Sequence, residues 1–409
     1  MLNVSRNPVE DYCNAESSVP AKNRCSIEFD LNSFPYPPST AQYPDRYDRA
    51  AGVSIGCTAD VNDAVNNLRS WLHSMGIDHL VDTELSGGFL KFKAKKQFFE
   101  TVTPHFNTLD MGTALHSFAD HPANETEREI LLSMSISPVP LVFDSIEDLH
   151  LTLRIRCAIA QNARLVQMSF CTGPAERPET HWHYKPGIGF CLNPEANLCE
   201  ALRMATQPTL SGQVFSFSCY RASEYAMLLG LVQALEQINS PMLEQLQRQW
   251  KKAPIQSRAF HDTFLVEVGA LDNPLPPQFY IPGDRVWFRN PDSRSADVSG
   301  YEGSWVIYMG RGEFSNFWAA DQPYTLTGKC IEIFHWRHAL NDQSSPEPFI
   351  DEFEVDRMCQ ESMNDRGKIE AILNEMLRFR EPQGIYGQGG CIDVSREFFK
   401  SFPFIDLAN

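Results

Sequence analysis

The sequence predicts an α+β protein in which a helix that opens at a cysteine packs on a largely antiparallel sheet. Two observations carry this expectation. Ala222, Tyr225, Ala226 and Leu229 follow Cys219 at helical spacing, and several short strand-like runs come after that helix. Composition agrees, since 409 residues with 43% hydrophobic and 21% charged side chains give ordinary globular usage and a sizeable core in two or three domains.

Residues 1–50 read as an irregular lead-in, rich in turns around Phe34-Pro35-Tyr36-Pro37-Pro38. Thr58 to Met75 reads as a helix, because Ala64, Leu68, Trp71, Leu72 and Met75 recur at helical spacing and Gly76 supplies the stop. From Ser145 to Met168 the signals conflict: Ser145 with Asp148 resembles a capping box, while Leu149, Leu151, Leu153 and Ile155 alternate like a strand. Length favours a helix. Strand-like runs are expected at Arg164–Phe170 and Val214–Phe217, then a helix from Cys219 to about Gln237 and another opened by Ser240 and Pro241.

Further strands are expected at Phe264–Val268, Arg285–Phe288, Trp305–Met309 and Cys330–Trp336. After Ser344, the spacing of Ile369, Ile372, Leu373, Met376 and Leu377 predicts an amphipathic helix that ends before Pro382. Gly384 to Gly390 reads as a flexible turn, because the Lys-Ser/Thr of a phosphate-cradling loop is missing. The chain thus divides into an accessory region at 1–135, α-rich after its lead-in, a central domain at 136–343 and a helical C-terminal extension at 344–409.

A net charge of −17 with no Lys/Arg run excludes the electrostatic footprint of a nucleic-acid binder. No stretch of 18 apolar residues argues for a membrane span, and residues 1–30 lack the apolar segment of a signal peptide. The expectation is a protein that is cytoplasmic as synthesised, with non-classical export as an effector left open. Eleven cysteines, at 13, 25, 57, 157, 171, 191, 199, 219, 330, 359 and 391, form no CxxC pair. They read as reduced, mostly buried side chains, neither a disulfide framework nor a zinc ribbon.

Cys219 stands apart from the others. The apolar run Val214-Phe215-Ser216-Phe217-Ser218 hands over to a helix at this residue. A thiol in the first helical turn meets free N–H groups and the positive end of the helix dipole, which favour thiolate. From position alone a small core cysteine is the more ordinary outcome.

Four blocks raise the nucleophile reading. They are Ser137-Pro138-Val139-Pro140 leading into Phe143-Asp144-Ser145-Ile146; Phe217-Ser218-Cys219; Gly283-Asp284-Arg285-Val286-Trp287-Phe288-Arg289-Asn290-Pro291-Asp292; and Gly303-Ser304-Trp305-Val306-Ile307 with Gly310. In this order the segment 137–340 resembles the bacterial spore-coat type of protein-glutamine gamma-glutamyltransferase. The resemblance implies a papain-like or NlpC/P60-like core in which Cys219 forms a thioester with a protein glutamine. A lysine or other amine then resolves it, without calcium or any cofactor. It implies protein substrates as partners, and a core complete without the flanks, so that residues 137–343 alone are expected to be active. Water in place of the amine would make the same site a deamidase, and a chain lacking the partner groups would be a non-catalytic binding module.

Family enzymes also carry a carboxylate directly after the glycine of the Gly-x-x-Val-Ile block, often another just before the cysteine, and a histidine further on. Here Ser304, Ser218, and Asn316 or Phe317 stand at those places. Glu302 is the first candidate substitute, since residues two apart on a strand share a face. His335 is the second, as it alternates with Ile331 and Ile333 and a Cys-His pair readily makes thiolate. Glu224, Glu313 and Asn316 come next. His181 and His183 share a strand face, but no third ligand lies nearby, so no metal site is expected. Trp305, Trp182 and Trp318 are candidate walls of a channel for an extended glutamine or lysine side chain.

Overall fold

The structure, a computed structural model, describes residues 50–56, 61–116, 124–169, 175–238, 240–341, 347–380 and 389–400. The Phe34–Pro38 lead-in, Cys13, Cys25, Cys57, Cys171 and most of the Gly384–Gly390 turn lie outside the described residues. Strands β1 (Val53–Gly56), β2 (Val81–Ser86), β3 (Phe89–Ala94) and β4 (Leu141–Phe143) form a first sheet in the order β2-β3-β1-β4. The region expected to be α-rich therefore carries a sheet as well. Its helices include Val61–Ser74, which ends at Gly76 with φ +67°, and Glu125–Ser135. The first of them matches the helix expected from Thr58, whose opening residues are not described.

A hairpin of β5 (Trp182–Lys185) and β6 (Gly189–Leu192) precedes the main sheet. That sheet is built from β7 (Leu265–Val268), β8 (Arg285–Arg289), β9 (Gly303–Gly310), β10 (Glu313–Phe314) and β11 (Tyr324–Thr325), with a small pair β12 (Leu340–Asn341) and β13 (Phe349–Ile350) beside it. The sixth strand is β14 (Arg396–Phe399). The order is β11-β10-β9-β8-β14-β7, antiparallel at every step. A strand from the C-terminal segment thus sits between β7 and β8, so that segment is not a purely helical extension, and residues 137–343 alone lack an interior strand of the sheet.

Two helix layers cover this sheet. On one face Ile307 and Met309 pack with the Ile146–Ala163 and Cys219–Ile238 helices; on the other, Val286, Phe288, Val306 and Tyr308 pack with the Leu326–Trp336 and Arg366–Met376 helices. Ser145 caps the Ile146–Ala163 helix by accepting from the Asp148 N–H (3.3 Å), which resolves the conflict in that segment. This helix and the Cys219 helix press together at Gly230, where an added Cβ would lie 2.5 Å from Ile159 Cγ1.

Three expectations for strands are corrected. Among the described residues, Arg164–Phe170 and Val214–Phe217 meet in a single bridge, Ser169 with Ser216. Residues 330–336 are helical, within Leu326–Trp336, capped by Thr325 Oγ1 accepting from the Gly328 N–H (3.0 Å). Sandwiched between the sheet and two further helices, this helix is buried around most of its girth, so its apolar residues show no single stripe.

The end of β9 rests on a buried acid. Glu129 Oε1 accepts from Tyr308 Oη (2.9 Å), and the Arg311 N–H donates to both carboxyl oxygens (2.9 and 3.1 Å). Gly310, at φ +89°, leaves room for that carboxyl, since a Cβ would come within 2.8 Å of it. Burial pushes the Glu129 carboxyl up to about 7, against an ordinary value of 4.5. The folded state therefore keeps a proton that the unfolded chain releases first. Stability from this group is complete below about pH 4.5 and is lost by about pH 7, a change on the order of 3 kcal/mol. Urea midpoints taken at acid and mildly alkaline pH should fall more steeply in the wild type than in Glu129→Gln. Equal slopes would rule this role out.

Candidate active site

Cys219 is the first residue of the Cys219–Ile238 helix. Ser218 caps it: its Oγ accepts from the Arg221 N–H (3.2 Å) and its carbonyl from the Ala222 N–H (2.9 Å). The serine found where family enzymes often carry a carboxylate thus has a local task here.

The half-buried sulfur faces the edge of β9. Ile307 spends its N–H and carbonyl on Ser315 (2.9 Å each), just past the end of β10. Backbone groups two residues apart on a strand point the same way, so the Trp305 N–H emerges beyond the end of β10. That N–H and the Tyr220 N–H both favour the Cys219 thiolate by hydrogen bonding, and the Lys329 ammonium favours it by charge. Burial outweighs all three and the Glu302 carboxylate adds to it, so the thiol lies above its ordinary range. The helix start alone led to the opposite expectation; desolvation decides the sign.

Aromatic rings cluster on the two residues whose N–H groups favour the thiolate. Trp305 stacks on Trp287 across the β8–β9 pair (5.6 Å, 9°) and meets Tyr220 edge-on (5.2 Å). Gly303, at φ +155°, makes this possible, because a Cβ there would lie 2.5 Å from Trp287 Nε1. Gly283, at φ +92°, lets β8 approach the Ile146–Ala163 helix, where Asp284 binds Arg156 (2.8 Å) in a buried pair.

The remaining predicted residues separate into near and far. Glu302 is exposed just before β9; its Oε2 accepts from the Gly300 N–H (3.1 Å), and its charge reaches Cys219. Ser304 is buried, on the face of β9 opposite Trp305. His335 lies on the Leu326–Trp336 helix, with Nε2 at 2.8 Å from Ser362 Oγ and its ring against Phe334 and His338. Burial pushes it down to about 4, which keeps it neutral, and none of these neighbours touches Cys219. Trp182 is a core residue: its Nε1 donates to the Ala201 carbonyl (3.0 Å), and its ring stacks on Tyr225. Trp318 packs against the same core, partly buried.

Asn316 spends its side chain on its own turn, donating to the Gln322 carbonyl (2.9 Å) and accepting from the Trp318 and Ala319 N–H groups. Glu313 pairs with Arg164 (2.5 Å). His183 Nδ1 lies 2.8 Å from Asn193 Oδ1, and His181 contacts Thr180 and Glu200. Among the described residues, no group of three His, Cys, Asp or Glu could hold a metal ion.

Sequence reasoning missed a charged cluster behind Tyr220. Glu224, fully buried, meets Arg221 (2.6 Å) and Arg285 (4.0 Å), and Arg285 meets Glu397 of β14 (2.6 Å). Burial raises both carboxyls above their ordinary range, and the arginines offset only part of that rise. Charged residues on short strands read as solvent-facing, and nothing in the sequence ties Arg285 to a partner 112 residues away.

The protein-glutamine gamma-glutamyltransferase family model matches residues 108–388, well over half of the chain. The chain belongs to the transglutaminase family. The match extends beyond 137–340 in both directions and takes in Glu129, which supports the end of β9, while β14 follows the matched segment. This transglutaminase-family chain is also similar to a solved structure, a transglutaminase from Geobacillus stearothermophilus without its C-terminal extension. They share 15% identity over 52% of this chain and 97% of the other, with a TM-score of 0.34. No curated protein matches the sequence. Among the described residues no helix is long and apolar enough to cross a membrane.

Proposed function

We propose that this chain is a cysteine transglutaminase acting on protein glutamine, with Cys219 as nucleophile. The observation that carries the reading is the sulfur at the start of a 20-residue helix with two backbone N–H groups directed at it. The Cys219 sulfur attacks the glutamine carboxamide carbon, and its proton passes to the Glu302 carboxylate. Backbone N–H groups at the helix start and at Trp305 bear the oxyanion. The Glu302 proton goes to the departing nitrogen, ammonia leaves, and a thioester remains. A lysine amine then attacks the thioester, gives a proton back through Glu302, and releases Cys219. A papain-like arrangement of helix and sheet suits this chemistry, and Trp305 is the tryptophan nearest to serving as a wall for the incoming side chain.

Glu302 takes the general-base role on two grounds. A thiol raised by burial needs a base, and of the carboxylates considered, Glu302 is the exposed one whose charge is felt at the sulfur. Glu302→Gln should lower amine incorporation about 10²- to 10⁴-fold, the usual contribution of such a group. His335→Asn, once folded, should keep the wild-type rate. The assay follows a labelled primary amine entering a glutamine-bearing protein. A silent Glu302→Gln would remove that residue from the mechanism. Mass spectrometry identifies the acceptor, since water in place of the amine adds about 1 Da to the glutamine protein and joins no chains.

A further inference from the structure

We propose that Arg285 is a positioning residue for Cys219, a guanidinium clamped between Tyr220 and Trp305 that holds their backbone N–H groups on the sulfur. This rests on the reading of Cys219 as the nucleophile and adds a residue and a device to it.

The clamp joins three elements. The Arg285 guanidinium carbon lies 4.7 Å from the centre of the Tyr220 ring and 4.3 Å from that of Trp305. Tyr220 directly follows Cys219 in the helix, and Trp305 is the β9 residue whose N–H leaves the ladder at the sulfur. One cation therefore touches both residues that address Sγ. A planar guanidinium can lie against aromatic faces while its edge donates to a carboxylate, which a lysine ammonium cannot reproduce.

The edge donates to β14. Arg285 Nη2 donates to Glu397 Oε1 (3.3 Å), and Nε lies 2.6 Å from Glu397 Oε2, with Glu224 beyond at 4.0 Å. His261, from the helix before β7, stands 3.6 Å from the same Glu397 carboxylate. The side chain is 2% exposed. Water cannot stand in for any of these contacts, so a shift of the guanidinium moves the ring of Tyr220, the ring of Trp305, or both. Displacements of about 1 Å away from the reacting atoms can cost about 10²-fold in rate.

The test is the rate at which iodoacetamide alkylates Cys219 in the full chain, read by mass spectrometry of its peptide from about pH 6 to about pH 10, around the ordinary thiol range. Two variants serve. Arg285→Lys keeps the charge without the planar stack. Arg285→Met combined with Glu397→Gln removes both members of the pair, so no lone buried charge unfolds the chain. In both, the pH midpoint of alkylation should rise, and the reaction near neutrality should slow by about 10-fold for every pH unit that the midpoint climbs. Amine incorporation should lose kcat by about 10²-fold with KM changed little.

A merely structural arginine would lower the melting temperature and leave the midpoint where it is. A folded Arg285→Lys with wild-type alkylation and kcat would overturn the proposal, whether or not the double variant folds. Alkylation needs no glutamine substrate. A wild type inert toward glutamine would therefore count against the transglutaminase reading and leave the Arg285 result to decide this one.

Discussion

Cys219→Ser should abolish glutamine-dependent incorporation of a primary amine, a fall of about 10⁴-fold or more, with the melting temperature almost unchanged. The two halves of that expectation have separate causes. A serine hydroxyl has a far higher pKa than a thiol and is a poor nucleophile without a strong base, and a carboxylate such as Glu302 is too weak a base to ionise it. The swap is also nearly isosteric at a half-buried helix start already capped by Ser218, so the stability change should stay within about 0.5 to 1 kcal/mol. Activity assay and thermal melt on the same preparation check both. Retained activity in Cys219→Ser with an unchanged melt would remove Cys219 from the chemistry.

The second large effect is on folding. A chain ending before β14 should fail to fold cooperatively, as should one lacking Ser395–Lys400. β14 pairs with β7 over four residues and with β8 at Glu397–Arg285, so its loss separates β7 from the rest of the sheet. It also strips Arg285 of Glu397, and Arg156 of the Phe398 ring it covers at 4.5 Å. Leaving one buried ionic partner alone costs about 3–5 kcal/mol. Removing a buried phenylalanine costs about as much again. The total reaches the whole stability of a typical domain, about 5–15 kcal/mol. Far-UV circular dichroism and a urea titration of the truncated chain test this. A cooperative transition at a near-native midpoint would mean that β14 is dispensable.

Much of the core was legible because single elements announced themselves. The Ser145 cap, the Ala222–Leu229 spacing and the Ser240-Pro241 opening each act within a few residues, and each marks a helix in the structure. Where one face met water, period and element agreed. The Leu326–Trp336 helix was misread because both its sides are covered and Ile331, Ile333, Phe334 and Trp336 are favoured in strands. Its Thr325 cap was the available signal. The β2–β3 hairpin had a signal too, in Gly87-Gly88 followed by the alternation of Phe89 to Ala94, with Leu90, Phe92 and Ala94 turned inward. β14 offered none: two of its inward positions are Arg396 and Phe398, and a buried arginine breaks the apolar alternation on which strand recognition depends.

For the proposed site, Cys219 and Trp305 are readable as candidates in the sequence, since a strand-to-helix handover and a glycine-flanked strand are local features. The Arg285 clamp could not, because its meaning comes from pairing across the sheet. The thiol's raised pKa was hidden for a similar reason: the helix start is visible in one dimension and burial only in three.

The position of β14 also bears on when the protein becomes competent during synthesis. Arg285 and Glu397 are 112 residues apart, and β14 follows every other strand of its sheet in the chain. At ribosomal rates of about 5–20 residues per second, roughly 6 to 20 s pass between the translation of the two. Throughout that interval Cys219 has been made but its clamp has not. On the proposed chemistry, a nascent chain therefore has no working nucleophile to turn on the polysome around it, and cross-linking begins only once β14 has left the exit tunnel and closed the sheet.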